Sequence, residues 1–162
     1  MAENGFVPEF IDCPAQRFVG MNRSYTQDTR GEIPAQWQAL NQSGAEIPNA
    51  RPSGAYGICH RFDGKGQFDY LCGFEVEGSG PVPDGFESIE IPARRVARFE
   101  NKTGLQNIHG IWDHIVSVWT PANREIYVPG PEIEHYPPEF NPGTGTGSVF
   151  ILIEIRAEAP VA

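Results

Sequence analysis

The sequence predicts an α+β fold: two pseudo-symmetric βαββ modules forming antiparallel sheets, with a ligand groove between them. Three observations lead there. Ile11-Asp-Cys-Pro-Ala-Gln-Arg-Phe-Val-Gly20 lies against Ile89-Glu-Ile-Pro-Ala-Arg-Arg-Val-Ala-Arg98, with Ile, Pro, Ala and Arg repeating in place at an offset of 78 residues. The element order strand, helix, strand, strand runs through the chain twice, and shared order makes duplication a better account than coincidence. Helices packed on the outside of two such halves leave a groove between their sheets, and pockets favour interfaces of this kind.

The elements follow in order. Residues of about 6–25 read as an interrupted strand, rich in β-branched and aromatic side chains, with Pro14 marking a bend or bulge. Residues 31–42 read as a helix: Pro34 is acceptable in a first turn, and Ile33, Trp37 and Leu40 share a face. A loop of Pro, Asn, Ser and Gly covers 44–54. Residues 55–62 and 68–77 form a hairpin around Asp63-Gly-Lys-Gly. Alternation is expected to put Tyr56, Ile58, His60 and Phe62 on the face that carries Phe68, Tyr70, Cys72, Phe74 and Val76. Residues 78–85 are a linker by composition. After the second strand region, Leu105, Ile108, Ile111, Trp112, Ile115 and Trp119 form one apolar helical stripe. Thr120-Pro-Ala-Asn stops it, and strands near 125–136 and 148–156 complete the second half. The repeat spans about 6–77 and 86–157 within a single domain of 1–162.

Composition narrows the function classes. The chain has 162 residues and a formal net charge of −9, with no Lys/Arg cluster beyond Arg94-Arg95. Nucleic acid is an unlikely direct partner, because phosphate binding needs concentrated positive charge. An acidic chain raises the local concentration of cations instead. No apolar run is long enough to span a membrane, and the N-terminus lacks a basic, then apolar, leader; a cytoplasmic protein with no membrane partner is expected. Cys13, Cys59 and Cys72 lack C-x-x-C spacing, so free thiols are expected and not a disulfide framework. No His pair stands at ligand spacing with a carboxylate, so neither a metal nor another cofactor is expected. Gly143-x-Gly145-x-Gly147 lacks the Lys and the strand-to-helix setting of a phosphate loop.

The stretch most suggestive of a site is Pro131-Glu-Ile-Glu-His-Tyr-Pro-Pro-Glu-Phe140. Alternation puts Ile133 on one side of a strand and Glu134 and Tyr136 on the other. A carboxylate beside aromatic rings suits an organic cation, which gains ring-face attraction as well as charge pairing. The 78-residue offset places Tyr56 at the position equivalent to Glu134, so the two halves are expected to present this pair to one groove. Tyr56, Tyr70, Phe74 and Tyr136 are the further groove candidates on strands. Trp37, Trp112 and Trp119 lie on helix stripes, where core packing competes with groove lining. His60 is included in the site, although a histidine there more often satisfies a nearby polar group. His109 and His114 fall on the polar side of the second helix. No Ser-His-Asp or Cys-His arrangement is visible, and no catalytic residue is assigned.

The chain resembles the GyrI-like effector-binding family. The resemblance rests on Tyr56-Gly57, Phe68-x-Tyr70-x-x-Gly73-Phe-Glu-Val76, Ile91-Pro-Ala with Val96-Ala-Arg-Phe99, Gly104-Leu105, Trp112-x-x-Ile115-x-x-x-Trp119-Thr-Pro121 and Ile133-Glu-x-Tyr136. It implies two βαββ modules about a pseudo-two-fold axis, and a groove with a carboxylate, here Glu134, that binds cationic amphipathic molecules. Family members form the ligand-sensing half of multidrug-responsive regulators and also stand alone, as in drug-binding proteins encoded on integron cassettes. With no helix-turn-helix segment in view, the stand-alone form is the expectation, as monomer or homodimer, with a separate regulator protein as a further partner. The alternative is a hydrolase of cyclopropane-type toxins, a reaction known in the superfamily, with Glu134 orienting water beside Tyr56 or Tyr70.

Overall fold

Pro14 and Pro92 each divide an extended run in two, since proline cannot donate to a strand ladder. The computed structural model, which describes residues 6–159, accordingly begins each half with a pair of strands. The strands are β1 (Glu9–Cys13), β2 (Gln16–Tyr25), β3 (Ala55–His60), β4 (Phe68–Val76), β5 (Glu87–Ile91), β6 (Arg94–Asn101), β7 (Glu132–Tyr136) and β8 (Val149–Ile155). All pair antiparallel, in the order β1-β6-β8-β7-β3-β4-β2-β5. Exchanging β1–β4 for β5–β8 reproduces the same order read from the other end. The α+β class is as expected, with the two half-sheets continuous through the β3–β7 ladder and each half lending its first strand to the other's edge.

Helix α1 (Ile33–Ser43) has Pro34 in its first turn and ends on left-handed Gly44. Helix α2 (Ile108–His114) continues through a wide π turn, Ile115–Trp119, and a last turn, Thr120–Ala122. Both lie on one face of the sheet. There Leu40 packs with Tyr70 and Cys72 under α1, and Ile111 and Ile115 pack on Ala97, Phe99, Ile151 and Ile153 under α2.

The other face is not flat. Cys13 and Gln16 are three residues apart in the chain, yet β1 and β2 stand six strands apart in the sheet. Three residues reach about 11 Å, whereas six flat strand spacings would need about 29 Å. The sheet therefore curls until its two ends meet, and Arg94 Nη1 of β6 donates to Gln16 Oε1 of β2 at 3.0 Å across that closure. Phe18, Tyr56, Ile58, Leu71, Val96, Ile133 and Leu152 fill the inside of the curl.

Register corrects two expectations. The β3–β4 ladder sets Tyr56 against Gly73 and Gly57 against Cys72. Tyr56, Ile58 and His60 thus share the curled face with Leu71, while Tyr70, Cys72 and Phe74 face α1. The turn between them is one residue out of phase with the simple hairpin reading, and Arg61, Gly64 and Gly66 take left-handed φ angles to make it. The repeat offset also drifts. It is 78 from β2 to β6, but equivalent ladders require 79 from β4 to β8 and 77 from β3 to β7. A one-residue slip moves a side chain to the other face. The equivalent of Glu134 is therefore Gly57, its own cross-strand partner on the pseudo-axis, and Tyr56 lies on the opposite face.

Candidate functional site

The helices leave the centre of the sheet uncovered, and β3 and β7 floor the gap between them. Alternation along β7 buries Ile133 in the curl and turns Glu134 and Tyr136 toward the helices. Gly57, beside Glu134, supplies no side chain, and the Tyr70 hydroxyl fills the space a Cβ there would take.

Each helix sends an indole N–H to this floor. Trp112 Nε1 of α2 donates to Glu134 Oε2 at 2.7 Å, and the Tyr136 hydroxyl donates to Glu134 Oε1 at 2.8 Å. Trp37 Nε1 of α1 donates to the Tyr70 hydroxyl at 3.0 Å. The Trp37 ring stands edge-on to Tyr136 with centroids 5.5 Å apart, and Phe140 lies 5.0 Å from Tyr136 on the other side. Burial, and then the charge of Glu134, hold the Tyr70 and Tyr136 phenols well above the usual tyrosine range, so both stay protonated donors. Burial pushes Cys59, on the same floor, far above the usual thiol range, with Glu134 adding to it. Among the described residues Glu134 has no ion-pair partner.

These residues open on a cavity of about 660 Å³, walled also by Ile33, Phe74, Leu105, Pro138 and Phe140, with Gln38, Asn41 and Arg51 as further polar lining. That size suits a drug-sized organic molecule, and few polar groups interrupt its apolar walls. No group of three or more His, Cys, Asp or Glu among the described residues is arranged to hold a metal ion.

The cavity gathers Glu134, Trp37, Tyr70, Phe74 and Tyr136, with Trp112 reaching it through Glu134. Three expected residues lie elsewhere. Tyr56 stacks on His135 inside the curl, at a centroid distance of 4.3 Å. His60 also faces away from Glu134, with Nε2 2.8 Å from Asn22 Oδ1. Trp119 is core, edge-on to Phe99 at 5.3 Å. Sequence reasoning missed Phe140 and assigned Leu105 to the helix stripe. Leu105 precedes α2 and is tied to the far rim by its N–H to Gly145 O, 2.9 Å. Pro-rich and Gly-rich segments carry no periodicity that would mark Phe140 as a wall.

A curled antiparallel sheet under two helices, with an aromatic cavity between them, is the architecture of a small-molecule-binding domain. The family model described as the GyrI-like small molecule binding domain matches residues 6–156, and the chain belongs to that family. Over 114 residues it is 32% identical to the transcriptional regulator BrlR of Pseudomonas aeruginosa; this is 66% of the present chain and 41% of BrlR. The structure of SAV2435 bound to tetraphenylphosphonium superposes with a TM-score of 0.76 at 15% identity, covering 92% of this chain and 93% of that one. An integron cassette protein from the mobile metagenome of Vibrio cholerae gives a TM-score of 0.67 at 15% identity, covering 93% and 97%. At such identities the two structures show the shared fold. Among the described residues no helix is long and apolar enough to cross a membrane.

Proposed function

We infer that this chain binds hydrophobic organic cations in the cavity between α1 and α2, with Glu134 as their counter-charge. The observation that carries this is a half-buried carboxylate on the floor of an aromatic cavity, oriented by Trp112 and Tyr136 and without an ion-pair partner among the described residues, while Arg51 in the cavity wall is paired with Glu75 and Glu77. A charge in such a site is costly unless paired. A guest cation supplies the missing partner and gains ring-face attraction from Trp37, Tyr70 and Tyr136, about 0.5–2 kcal/mol for each well-placed ring. The net charge of −9 favours cation encounter. Tetraphenylphosphonium bound to SAV2435 supports the same class of guest on the same fold, and the likeness to BrlR supports a sensing role with a regulator.

Titration of tetraphenylphosphonium into the protein, followed by tryptophan fluorescence, tests the reading. Glu134→Gln keeps the shape and removes the charge, so affinity should fall by about 1–3 kcal/mol, while a neutral tetraphenyl analogue changes little. Equal affinity in the two proteins would remove Glu134 from the site.

A further inference from the structure

We propose that the inside of the curled sheet holds a second small-molecule site, for organic anions with a flat apolar body, in which Arg98 is the counter-charge. A cavity of about 650 Å³ opens there, on the face opposite Glu134, lined by Ile11, Gln16, Tyr56, Arg98, His135 and Phe150 among others. Where a sheet closes on itself, its mouth is a common place for a ligand.

The repeat marks the site by where its symmetry fails. Arg98 is the β6 equivalent of Gly20 in β2, at the 78-residue offset that their ladders share. At Gly20 the backbone of β4 comes so close that a Cβ would strike Cys72 O, so that position has no room for a side chain. In the second half the same position carries a guanidinium, laid 4.1 Å over the ring of Phe150. Stacking fixes the plane of the guanidinium and leaves its edge donors for a carboxylate. Arg98 forms no ion pair among the described residues. The cation-binding face shows the same substitution of a charge for a glycine, Glu134 against Gly57.

The surrounding charges favour an anion. Arg94 bonds to the cavity-lining Gln16, and its Nη2 is buried without a partner. Of the carboxylates on this face, Glu139 is exposed at the rim, while Glu75 is engaged by Arg51 at 3.4 Å and by the Tyr56 hydroxyl at 3.5 Å. Glu100 accepts from Ser148 Oγ at 2.6 Å, and Glu154 lies opposite Val96, beyond Leu152 from the Phe150 ring. His135 donates Nε2–H to Ser53 O at 2.6 Å, which holds its ring parallel to Tyr56 as an aromatic wall. Ile11, Leu152 and Phe150 complete the apolar lining.

The test uses calorimetric titration of the whole chain with 2-naphthoate and with neutral 2-naphthamide. The wild-type protein should prefer the acid by about tenfold, the scale of one charge-assisted pairing. Arg98→Gln should abolish the preference, Arg98→Lys should keep part of it, and Glu134→Gln should leave it intact. The last arm separates this site from the proposed cation site: failure of either leaves the other standing. Cys13 lines the cavity, so saturating 2-naphthoate should slow its alkylation by iodoacetamide severalfold in the wild-type chain, a readout that needs no folded variant. No acid preference, an equal preference in a folded Arg98→Gln protein, its loss in Glu134→Gln, or an unprotected Cys13 would each overturn the proposal.

Discussion

The Tyr70 hydroxyl occupies the space that a side chain at Gly57 would need. Gly57 is the cross-strand partner of Glu134, so this vacancy lets a phenol, anchored by Trp37, sit beside the carboxylate. Gly57→Ala should destabilise the fold by about 1–3 kcal/mol through overpacking and weaken cation binding by displacing Tyr70. Removing the hydroxyl as well, in Gly57→Ala/Tyr70→Phe, should recover part of the stability. Urea unfolding of the two single variants and the double variant measures the coupling; strict additivity would mean that the two residues do not compete for space.

Trp112 acts on Glu134 through one hydrogen bond. Trp112→Phe keeps an aromatic wall but removes the N–H, so the half-buried carboxylate loses one of its two aromatic donors and is held less firmly in the position that meets a cation. Tetraphenylphosphonium should bind more weakly by about 1 kcal/mol, with a neutral analogue nearly unaffected. An equal loss for both ligands would reduce Trp112 to a packing surface.

Trp119 provides the contrast. It is buried in the α2 core against Phe99. Trp119→Ala should cost about 3–5 kcal/mol of stability, as large core truncations do. Measured below the melting transition, the affinity for tetraphenylphosphonium should stay within about twofold of wild type, a difference of roughly 0.4 kcal/mol. A tenfold loss of affinity would return Trp119 to the cavity wall.

Much of the fold can be read from local signals. Pro14 and Pro92 mark strand breaks because their missing N–H acts wherever the chain goes, and Glu134 and Tyr136 share a face because they are two residues apart on one strand. What escapes a local reading is phase. The hairpin after His60 needs three left-handed residues, Arg61, Gly64 and Gly66, and its length decides which face Tyr70 joins. The offset drifts from 78 to 77 by β7, so Tyr56 and Glu134 stand at matching places in the sequence but on opposite faces. Trp112 and Trp119, seven residues apart, would share a face of a regular α-helix. The wide turn that closes with Thr120 N–H bonded to Ile115 O rotates Trp119 into the core.

The binding and hydrolytic readings differ in the fate of the ligand. Both Glu134 oxygens accept from aromatic donors, an arrangement suited to holding a counter-charge. Prolonged incubation with tetraphenylphosphonium or a cyclopropane-type electrophile should return each compound unchanged by mass spectrometry. Turnover that vanishes in Glu134→Gln would reverse the ranking in favour of a hydrolase.

Stability should fall as the solution is acidified through the histidine range. Burial pushes the His135 and His60 imidazoles below their usual value. The unfolded chain, with both at about 6.5, binds more protons than the folded one between that pH and the lower folded values. Their contribution is therefore complete above about pH 6.5 and is lost as pH drops through the folded pKa of each ring. Glu132 works in the opposite sense, because burial raises its carboxyl above the unfolded value; stability is regained as pH falls through its raised folded pKa, a gain complete below about pH 4.3, and this offsets part of the loss at the acid end. Urea midpoints at about pH 7.5 and about pH 5.5 should show the lower stability in acid. His135→Gln and His60→Gln should each flatten the profile by removing one titrating ring, whatever they cost in stability at neutral pH. A profile equally steep in both variants would mean that the protons taken up on unfolding go elsewhere.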